Sequence, residues 1–590
     1  MIYKLIKSIY SIADSSSKRK LFKLQILIVL SSILELISLS ALGLFINFIA
    51  SPENQKLTLF NEYLNSIGLE VSLSILDVGI VSILLLFFGT LMSIFTIWRV
   101  SLFATFFGVS IGNKLFSNYL NQSYLYHVKT NSSILAKKIS VEALRFTEKI
   151  VLQLMLMNAR LVIVIGLLIA LIIFDPYTSL SVFSIFILSY YLLFSAVAKS
   201  LLNNGKSFSR ALSKRFKSIN EGLNFFPSVV TLNKKSFFIK EVEEFGAEMA
   251  ISQGTNSALS VTPKYFMEFI IFGGFVFFVI SNAFLGQLSS ELMTKMSIFG
   301  IAAIKFLPAF QQIYNALTQV KGNVAAWDEI KSDLLLDSKY YKQEVEDQIK
   351  VGNGFYVENL CFGYSNKNLI LKNISFVIKQ GQKIGIIGSS GSGKSTLLNV
   401  LVGLLEPNSG TIRTQFFSLN NANKKEWFNS IGYVPQANYI SDRSILENIA
   451  FGVSKKDINL SQINKVLELS NLENFINSLQ DGIDTKIGEH GVKISGGQKQ
   501  RLMIARALYH NPKIIFFDEA TSALDGKNET RIMESINRLN DSIVIMVTHR
   551  LNTIKDCDQV ILLEDGKITD IASFQTLHKT HKVVREMNLE

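Results

Sequence analysis

Nine consecutive residues constrain the fold of this chain more than any others: Gly388-Ser389-Ser390-Gly391-Ser392-Gly393-Lys394-Ser395-Thr396. The apolar run Ile384-Gly385-Ile386-Ile387 before them reads as a buried parallel strand. Leu397-Leu398-Asn399-Val400 after them reads as the start of a helix. Strand, Gly-rich loop, Lys, hydroxyl, helix is the order of a phosphate-binding loop. Glycines let backbone N–H groups turn inward and crowd a phosphate, and a helix N-terminus adds partial positive charge. Lys394 is placed to neutralise β- and γ-phosphate oxygens, and the Ser395 hydroxyl to ligate Mg²⁺.

The rest of the chain is too apolar to be a soluble protein throughout. Of 590 residues, 48% are hydrophobic and 18% charged, and the mean hydropathy is +0.30. Such a length predicts several domains, and such a hydropathy predicts that one of them lives in lipid. Apolar stretches run over 24–50, 75–107, 150–174, 177–198, 265–284 and 296–317, the third and fourth hinged at Asp175-Pro176. Each is long enough to cross a hydrocarbon core of ~30 Å at ~1.5 Å per residue. The second overruns that need and is expected to project beyond the bilayer. Residues 1–23 are basic and amphipathic and read as an interfacial helix on the cytoplasmic face.

Connections set the orientation. The 51–74 loop carries Glu53, Glu62 and Glu70 against Lys56 and reads as external. The 108–149 and 199–264 connections are rich in Lys and Arg and read as cytoplasmic, which leaves both termini inside. These connections mix apolar and charged residues at helical spacing. They read as spans that continue below the membrane and turn back at transverse segments, 122–133 and 220–232, the latter around Pro227. Leu59, Phe60, Tyr63, Leu64 and Ile67 fit either a short external amphipathic helix or a packed loop. The net charge of +12 fits a positive-inside membrane protein in contact with anionic lipid. No nucleic-acid recognition motif accompanies it. Cys361 and Cys557 have no metal-type spacing and imply neither a disulfide framework nor zinc, so the C-terminal part reads as cytosolic.

A membrane domain over 1–335, a charged linker over 336–352 and a soluble α/β domain over 353–590 follow from the change of pattern. Expected strands cover 355–362, 374–378, 384–388, 514–517, 543–547 and 560–564. Lys513-Ile514-Ile515-Phe516-Phe517-Asp518-Glu519 is an apolar strand ending in two carboxylates. Asp518 is placed to hold Mg²⁺ and Glu519 to polarise an attacking water.

Ile494-Ser495-Gly496-Gly497-Gln498 resembles the signature of ATP-binding cassette (ABC) proteins, with Ile for the usual first Leu. Further segments are similar to the family's motifs: Gln436 after Ile431-Gly432-Tyr433-Val434-Pro435 (Q-loop), Ser522-Ala523-Leu524-Asp525 (D-loop), and His549 after Val547-Thr548 (switch histidine). Tyr364 resembles the aromatic that stacks on adenine, and 485–491 the X-loop of exporters. The resemblance implies a type I exporter half: six membrane helices with long cytoplasmic extensions, fused to a P-loop ATPase domain. It implies ATP and Mg²⁺ as cofactors and a homodimer with each ATP between one P-loop and the partner's Ser495 and Gly497. It implies cofactor contacts from the P-loop, Gly496, Gln498, Tyr364 and Asp525, metal contacts from Ser395, Gln436 and Asp518, and catalysis by Glu519, Gln436 and His549.

Glu35, Arg99, Arg160 and Lys305 lie inside apolar stretches. Each reads either as a cargo contact or as part of internal charge pairing, for instance Glu35 with Arg99 or Lys305, with snorkelling a further option for Arg99. The whole chain is similar to bacterial exporters that flip lipid-linked oligosaccharides across the inner membrane. The similar stretches are the Glu-bearing first span, the external segment, Lys114-Leu115-Phe116-Ser117-Asn118-Tyr119-Leu120-Asn121 and the Leu307-Pro308 region. That likeness implies a polyprenyl-pyrophosphate glycan as cargo. An exporter of another lipid, peptide or drug is the alternative.

Overall fold

The computed structural model describes residues 2–49, 62, 74–284, 290–336, 354–365, 368–420, 423–437, 439–488, 491–520, 526–548 and 550–586. Leu59, Phe60, Tyr63, Leu64 and Ile67, and all but the first residue of the 336–352 linker, lie outside these residues. Two compact units form, Met1–Leu120 with Lys129–Asp337, and Asn121–Val128 with Ser338–Glu590.

The first unit is helical. Ile2–Ile12 is a short amphipathic helix that buries Leu5 and Ile9. It ends ahead of Asp14, whose carboxylate accepts from the Ser17 backbone N–H and restarts the chain as one helix, Ser15–Ile49. The break therefore comes earlier than the 23/24 boundary that hydropathy marks. Ile75–Leu120, Ser132–Phe174, Pro176–Asn224, Lys235–Phe284 and Ser290–Leu334 follow. Asp175 and Pro176 make the hinge by capping and pre-setting the first turn of Pro176–Asn224. Among the described residues, five helices are long and apolar enough to cross a membrane: Ser15–Ile46, Ile75–Leu120, Ser132–Phe174, Pro176–Asn224 and Lys235–Ser281. Residues 296–317 are helical within Ser290–Leu334. A helix of 46 residues such as Ile75–Leu120 is ~70 Å long, so it outreaches a ~30 Å hydrocarbon core. The short helices Tyr124–Lys129 and Phe226–Thr231 turn the chain at the two expected places.

Beyond its apolar part, this unit is held by buried charge. Lys137 and Glu142 are both fully buried, 3.4 Å apart. Lys137 also lies 3.1 Å from Glu329 and donates to Ser213. Arg145 donates to the other Glu142 oxygen, to Asn323 and to Ser209. Lys138 and Tyr119 both donate to the Asp333 carboxylate. The same stretch of Ser132–Phe174 winds as two π-turns, Lys138–Glu142 and Thr147–Val151, and its backbone closes on Gly108 and Gly112 of the facing helix. A Cβ at Gly112 would lie 2.9 Å from the Ile139 carbonyl oxygen, so only glycine admits this approach.

The second unit is built on a six-stranded sheet in the order β5-β6-β7-β3-β8-β9. Its strands are β3 Lys383–Ile387, β5 Ile431–Val434, β6 Ile514–Asp518, β7 Ile543–Val547, β8 Gln559–Glu564 and β9 Lys567–Ala572. All neighbours run parallel except β8 and β9. Side chains alternate between two cores: Ile514, Phe516, Ile543 and Ile545 enter one, and Ile515, Phe517, Val544 and Met546 the other. That is the period-two burial of a sheet covered on both faces. A three-stranded antiparallel sheet, β1 Gly354–Phe362, β2 Leu371–Lys379 and β4 Ser409–Thr414, pairs in the order β2-β1-β4. Residues 121–128, which fall in sequence between helices of the first unit, belong with the second, Leu125 packing against its core.

Removing one member of a buried charge pair strands the other and costs about 3–5 kcal/mol. Lys137→Ala should therefore lower the unfolding temperature in detergent markedly, while Lys137→Ala with Glu142→Gln recovers part of the loss; differential scanning fluorimetry reads both.

Candidate functional site

The sheet order places four loops side by side. Gln436 follows β5, Asp518 and Glu519 end β6, Thr548 follows β7 and Gly388 follows β3. These four strands are consecutive neighbours and run parallel, so their C-terminal ends share one edge, where open α/β sheets bind ligands.

The glycine-rich loop is shaped by backbone that other residues rarely adopt. Gly388, Gly391 and Gly393 have φ of 153°, 83° and 103°. A Cβ at Gly388 would sit 2.1 Å from the Leu563 carbonyl oxygen. Helix Lys394–Val402 starts directly after Gly393, with its first-turn N–H groups turned to the loop. Ser389, Ser390 and Ser395 are exposed at this mouth and Thr396 is half-buried. The Lys394 ammonium donates to the Gly388 and Ser389 carbonyls, 2.8 Å each. Burial pushes its pKa down, and the Glu519 and Asp518 carboxylates oppose that. Ser392 Oγ is buried without a hydrogen-bond partner among the described residues.

Asp518 is 5% exposed, and its Oδ1 has no hydrogen-bond partner among the described residues. Burial, then the Glu519 charge, pushes its pKa up to about 6, while Lys394 pulls it down. An orphaned, desolvated carboxylate oxygen beside a lysine and a phosphate-binding loop is a hard-cation site, so the donor set fits Mg²⁺. Glu519 has a left-handed backbone, φ 50°. Its carboxylate accepts from Gln436 Nε2 at 2.7 Å.

Ser495 caps helix Gly496–Leu508 through a capping box: its hydroxyl accepts from the Gln498 N–H, and Gln498 Oε1 accepts from the Ser495 N–H. The Gln498 carboxamide is thereby turned back onto the cap, while Gly496 and Gly497 form the first turn. Tyr364 is 53% exposed, with its ring edge-on to Phe362. Tyr124 of the 121–128 segment lies within electrostatic reach of Tyr439, Tyr364 and Asp518, and burial raises its phenol pKa. Asp525 with its D-loop, and His549, lie outside the described residues.

The expected residues of the helical unit form no single cluster. Arg160 lies 3.5 Å from Glu35 and donates through Nε to Gln312. Glu35 is thus paired with Arg160, and not with Arg99 or Lys305 as their charges alone suggested. Arg99 lies over the Phe95 ring, and both Arg99 and Lys305 are exposed. Helix packing decides the partner here, and spacing along the chain does not encode it. Sequence reading also missed Gln500, which donates to the Glu519 carbonyl, and Arg506, which donates to the Asn448 and Tyr439 carbonyls. Their signal was a polar side chain among the core-facing positions of helix Gly496–Leu508, beside Leu502, Met503, Ile504 and Ala505.

Residues 371–522 match the family model described as ABC transporter. Over the whole chain, the structure superposes on that of a bacterial Atm1-family ABC exporter with ATP bound. The TM-score is 0.80, at 18% identity, covering 98% of this chain and 99% of the other. The fold is that of an ABC exporter. Among curated proteins, the chain is 30% identical over 385 residues to the heterocyst differentiation ATP-binding protein HepA of Nostoc sp., spanning 62% of each. It is 29% identical over 345 residues to a multidrug resistance ABC transporter ATP-binding and permease protein of Lactococcus lactis, spanning 58% of this chain and 57% of that one. The chain thus spans about three fifths of the length of these relatives. Helices long and apolar enough to cross a membrane and the segment that matches the ABC transporter model lie in one polypeptide.

Asp518 holds a proton between pH ~4 and about 6 that the unfolded chain has lost. Without metal, its contribution to stability therefore falls as pH rises through that window. Metal must displace the proton, so Mg²⁺-dependent nucleotide affinity should weaken as pH drops through about 6. Asp518→Asn should abolish that step in a fluorescent-nucleotide titration.

Proposed function

We propose that this chain hydrolyses ATP as a homodimer in the bacterial inner membrane, with both termini cytoplasmic. Its cargo is a lipid-linked oligosaccharide, moved from the inner to the outer leaflet. The contact between Gln436 and Glu519 beside the P-loop carries the ATPase part. It joins the residue that follows β5 to a carboxylate at the end of β6, next to a lysine poised for phosphate.

In this reading Tyr364 stacks on adenine. The P-loop N–H groups and Lys394, exchanging its two carbonyl partners for phosphate oxygens, hold the β- and γ-phosphates. Ser395, Gln436 and Asp518 would hold Mg²⁺, which when bound would offset the charge of the phosphate oxygens. Glu519 orients and deprotonates the attacking water while Gln436 steadies its carboxylate. His549 and Asp525 complete the γ-phosphate surroundings. Ser495 and Gly497 meet the nucleotide bound by the second copy, through a capped helix N-terminus suited to an anion. Closure on ATP and reopening after hydrolysis then drive the spanning helices, with the short turn helices as the levers.

The Glu35, Arg160 and Gln312 cluster supports the cargo part. Ionisable groups inside apolar helices are expensive and mark pathways, and Arg160 brings a bidentate donor suited to a pyrophosphate. Arg99 and Lys305 add cationic charge.

A second reading, an exporter of another amphipathic molecule, is favoured by a different feature. A cavity of about 890 Å³ in the helical unit is walled almost wholly by apolar side chains, among them Leu168, Phe183, Phe186, Ile271, Phe275 and Phe310. Its lining suits a hydrocarbon or aromatic body and offers a glycan nothing.

Reconstituted in liposomes, the protein should hydrolyse ATP faster when polyprenyl-pyrophosphate glycan is present. Stimulation by drugs or peptides alone would favour the second reading. Glu519→Gln should cut turnover by about 10²–10⁴-fold and leave ATP binding intact, as a nucleotide-trapping assay measures.

A further inference from the structure

Glu519 keeps a backbone conformation that its side chain disfavours. Its φ of 50° is a left-handed conformation that crowds a Cβ, and such a state persists only when its surroundings fix it. Contacts at its N–H, carboxylate and carbonyl do so. Its N–H donates to the Val547 carbonyl at 2.9 Å. Its carboxylate accepts from Gln436 at 2.7 Å. Its carbonyl accepts from Gln500 Nε2 at 3.2 Å.

The third contact is the unexpected one, because Gln500 belongs to the helix that begins at the signature. Gln500 is 3% exposed, and Leu502, Met503, Ile504 and Ala505 of the same helix are core. A carboxamide at such a place loses its hydration and is tolerated only with a partner. An apolar side chain of similar length would fill the space as well, so packing alone does not call for glutamine.

The helix is tied to the rest of its unit along its length. Arg501 donates to the Asn471 carbonyl at 2.8 Å, and Arg506 to the Asn448 and Tyr439 carbonyls at 2.7 Å each. The capping box closes its start. Displacement of its first turn is therefore passed to Gln500, little more than one turn further on.

We propose that Gln500 is a positioning residue that locks the Glu519 backbone and couples the two ATP sites of the dimer. This rests on the ATPase reading above. One end of helix Gly496–Leu508 senses the nucleotide held by the partner. Gln500 then sets the carboxylate that acts on the nucleotide held by its own chain. Each site fires in its correct geometry only when the other is filled.

The test uses the full-length protein in nanodiscs and compares wild type, Gln500→Met, which keeps length and removes the donor, and Glu519→Gln. Misplacing a catalytic group by about 1 Å can cost ~10²-fold. Gln500→Met should therefore lower kcat by about 10–100-fold, change the KM for ATP by less than about threefold, and bring the Hill coefficient for ATP toward 1. Gln500→Asn, which keeps the amide but is too short to reach, should show the same split, which guards against a folding defect peculiar to methionine. A kcat within twofold of wild type, an unchanged Hill coefficient, or parallel loss of nucleotide binding and turnover in both variants would overturn the coupling role. A wild-type protein with no ATPase activity would instead remove the reading on which it rests.

Discussion

Adjacency at one edge of a parallel sheet is the constraint on which the ATP-binding unit depends. β5, β6, β7 and β3 are neighbours and point the same way. Residues 436, 518–519, 548 and 388, scattered over more than a hundred positions, thereby converge. Burial of both faces by alternating Ile, Val and Phe fixes the register. A slip by one residue would exchange the two cores and turn every strand end away from the site. The strain at Glu519 is supported by that frame: its N–H pairs with the end of β7 and its neighbour Asp518 is the last residue of β6. A carboxylate on a flexible loop would wander through the same space without holding one geometry.

In the helical unit, the equivalent role falls to buried charge. Lys137, Glu142, Arg145 and Glu329 draw on two helices, and Ser213 and Ser209 on a third. Buried pairs of this kind add little net stability over an apolar core but penalise any arrangement that separates them. The π-turns at Lys138–Glu142 and Thr147–Val151 coincide with the network and with the close glycine contacts. An extra residue per turn re-aims the side chains that follow, which lets Lys137, Glu142 and Arg145 all face inward from one helix. The stretch is therefore specified by polar geometry more than by the apolar stripe that ordinarily orients a helix.

What the sequence made legible follows from how local each signal is. The P-loop, the β6 carboxylates and the apolar strands β3, β6, β7 and β8 are short-range patterns, and each appears within a residue or two of its expected bounds. β4 and β9 are strands too, but Ser409–Thr414 and Lys567–Ala572 are polar edge strands with little burial to write into the sequence. β5 is only four residues long and in sequence reads as the approach to Gln436. The break at Asp14 escaped because hydropathy averages over a window, whereas a cap acts through one side chain. Gln500 and the Glu35 to Arg160 pairing are tertiary facts. Each depends on which helix lies opposite, and no spacing within one helix reports that.

The same distinction holds between phosphate recognition and cargo recognition. Phosphate chemistry demands backbone N–H groups, a lysine and carboxylates in a fixed array, so its residues are legible within one chain. Cargo recognition in a membrane makes weaker demands. A lone ion pair such as Glu35 with Arg160 satisfies itself when nothing is bound, and an apolar cavity accepts any hydrocarbon of fitting size. In the glycolipid reading proposed above, the pyrophosphate is the part that would meet Arg160, whereas the apolar cavity suits any amphipathic cargo. A cargo lacking the anion would leave Arg160 with Glu35 undisturbed, and one lacking the tail would leave the cavity to membrane lipid. The charged cluster and the apolar walls thus address different parts of a cargo, and the apolar walls alone do not separate the glycolipid reading from its alternative.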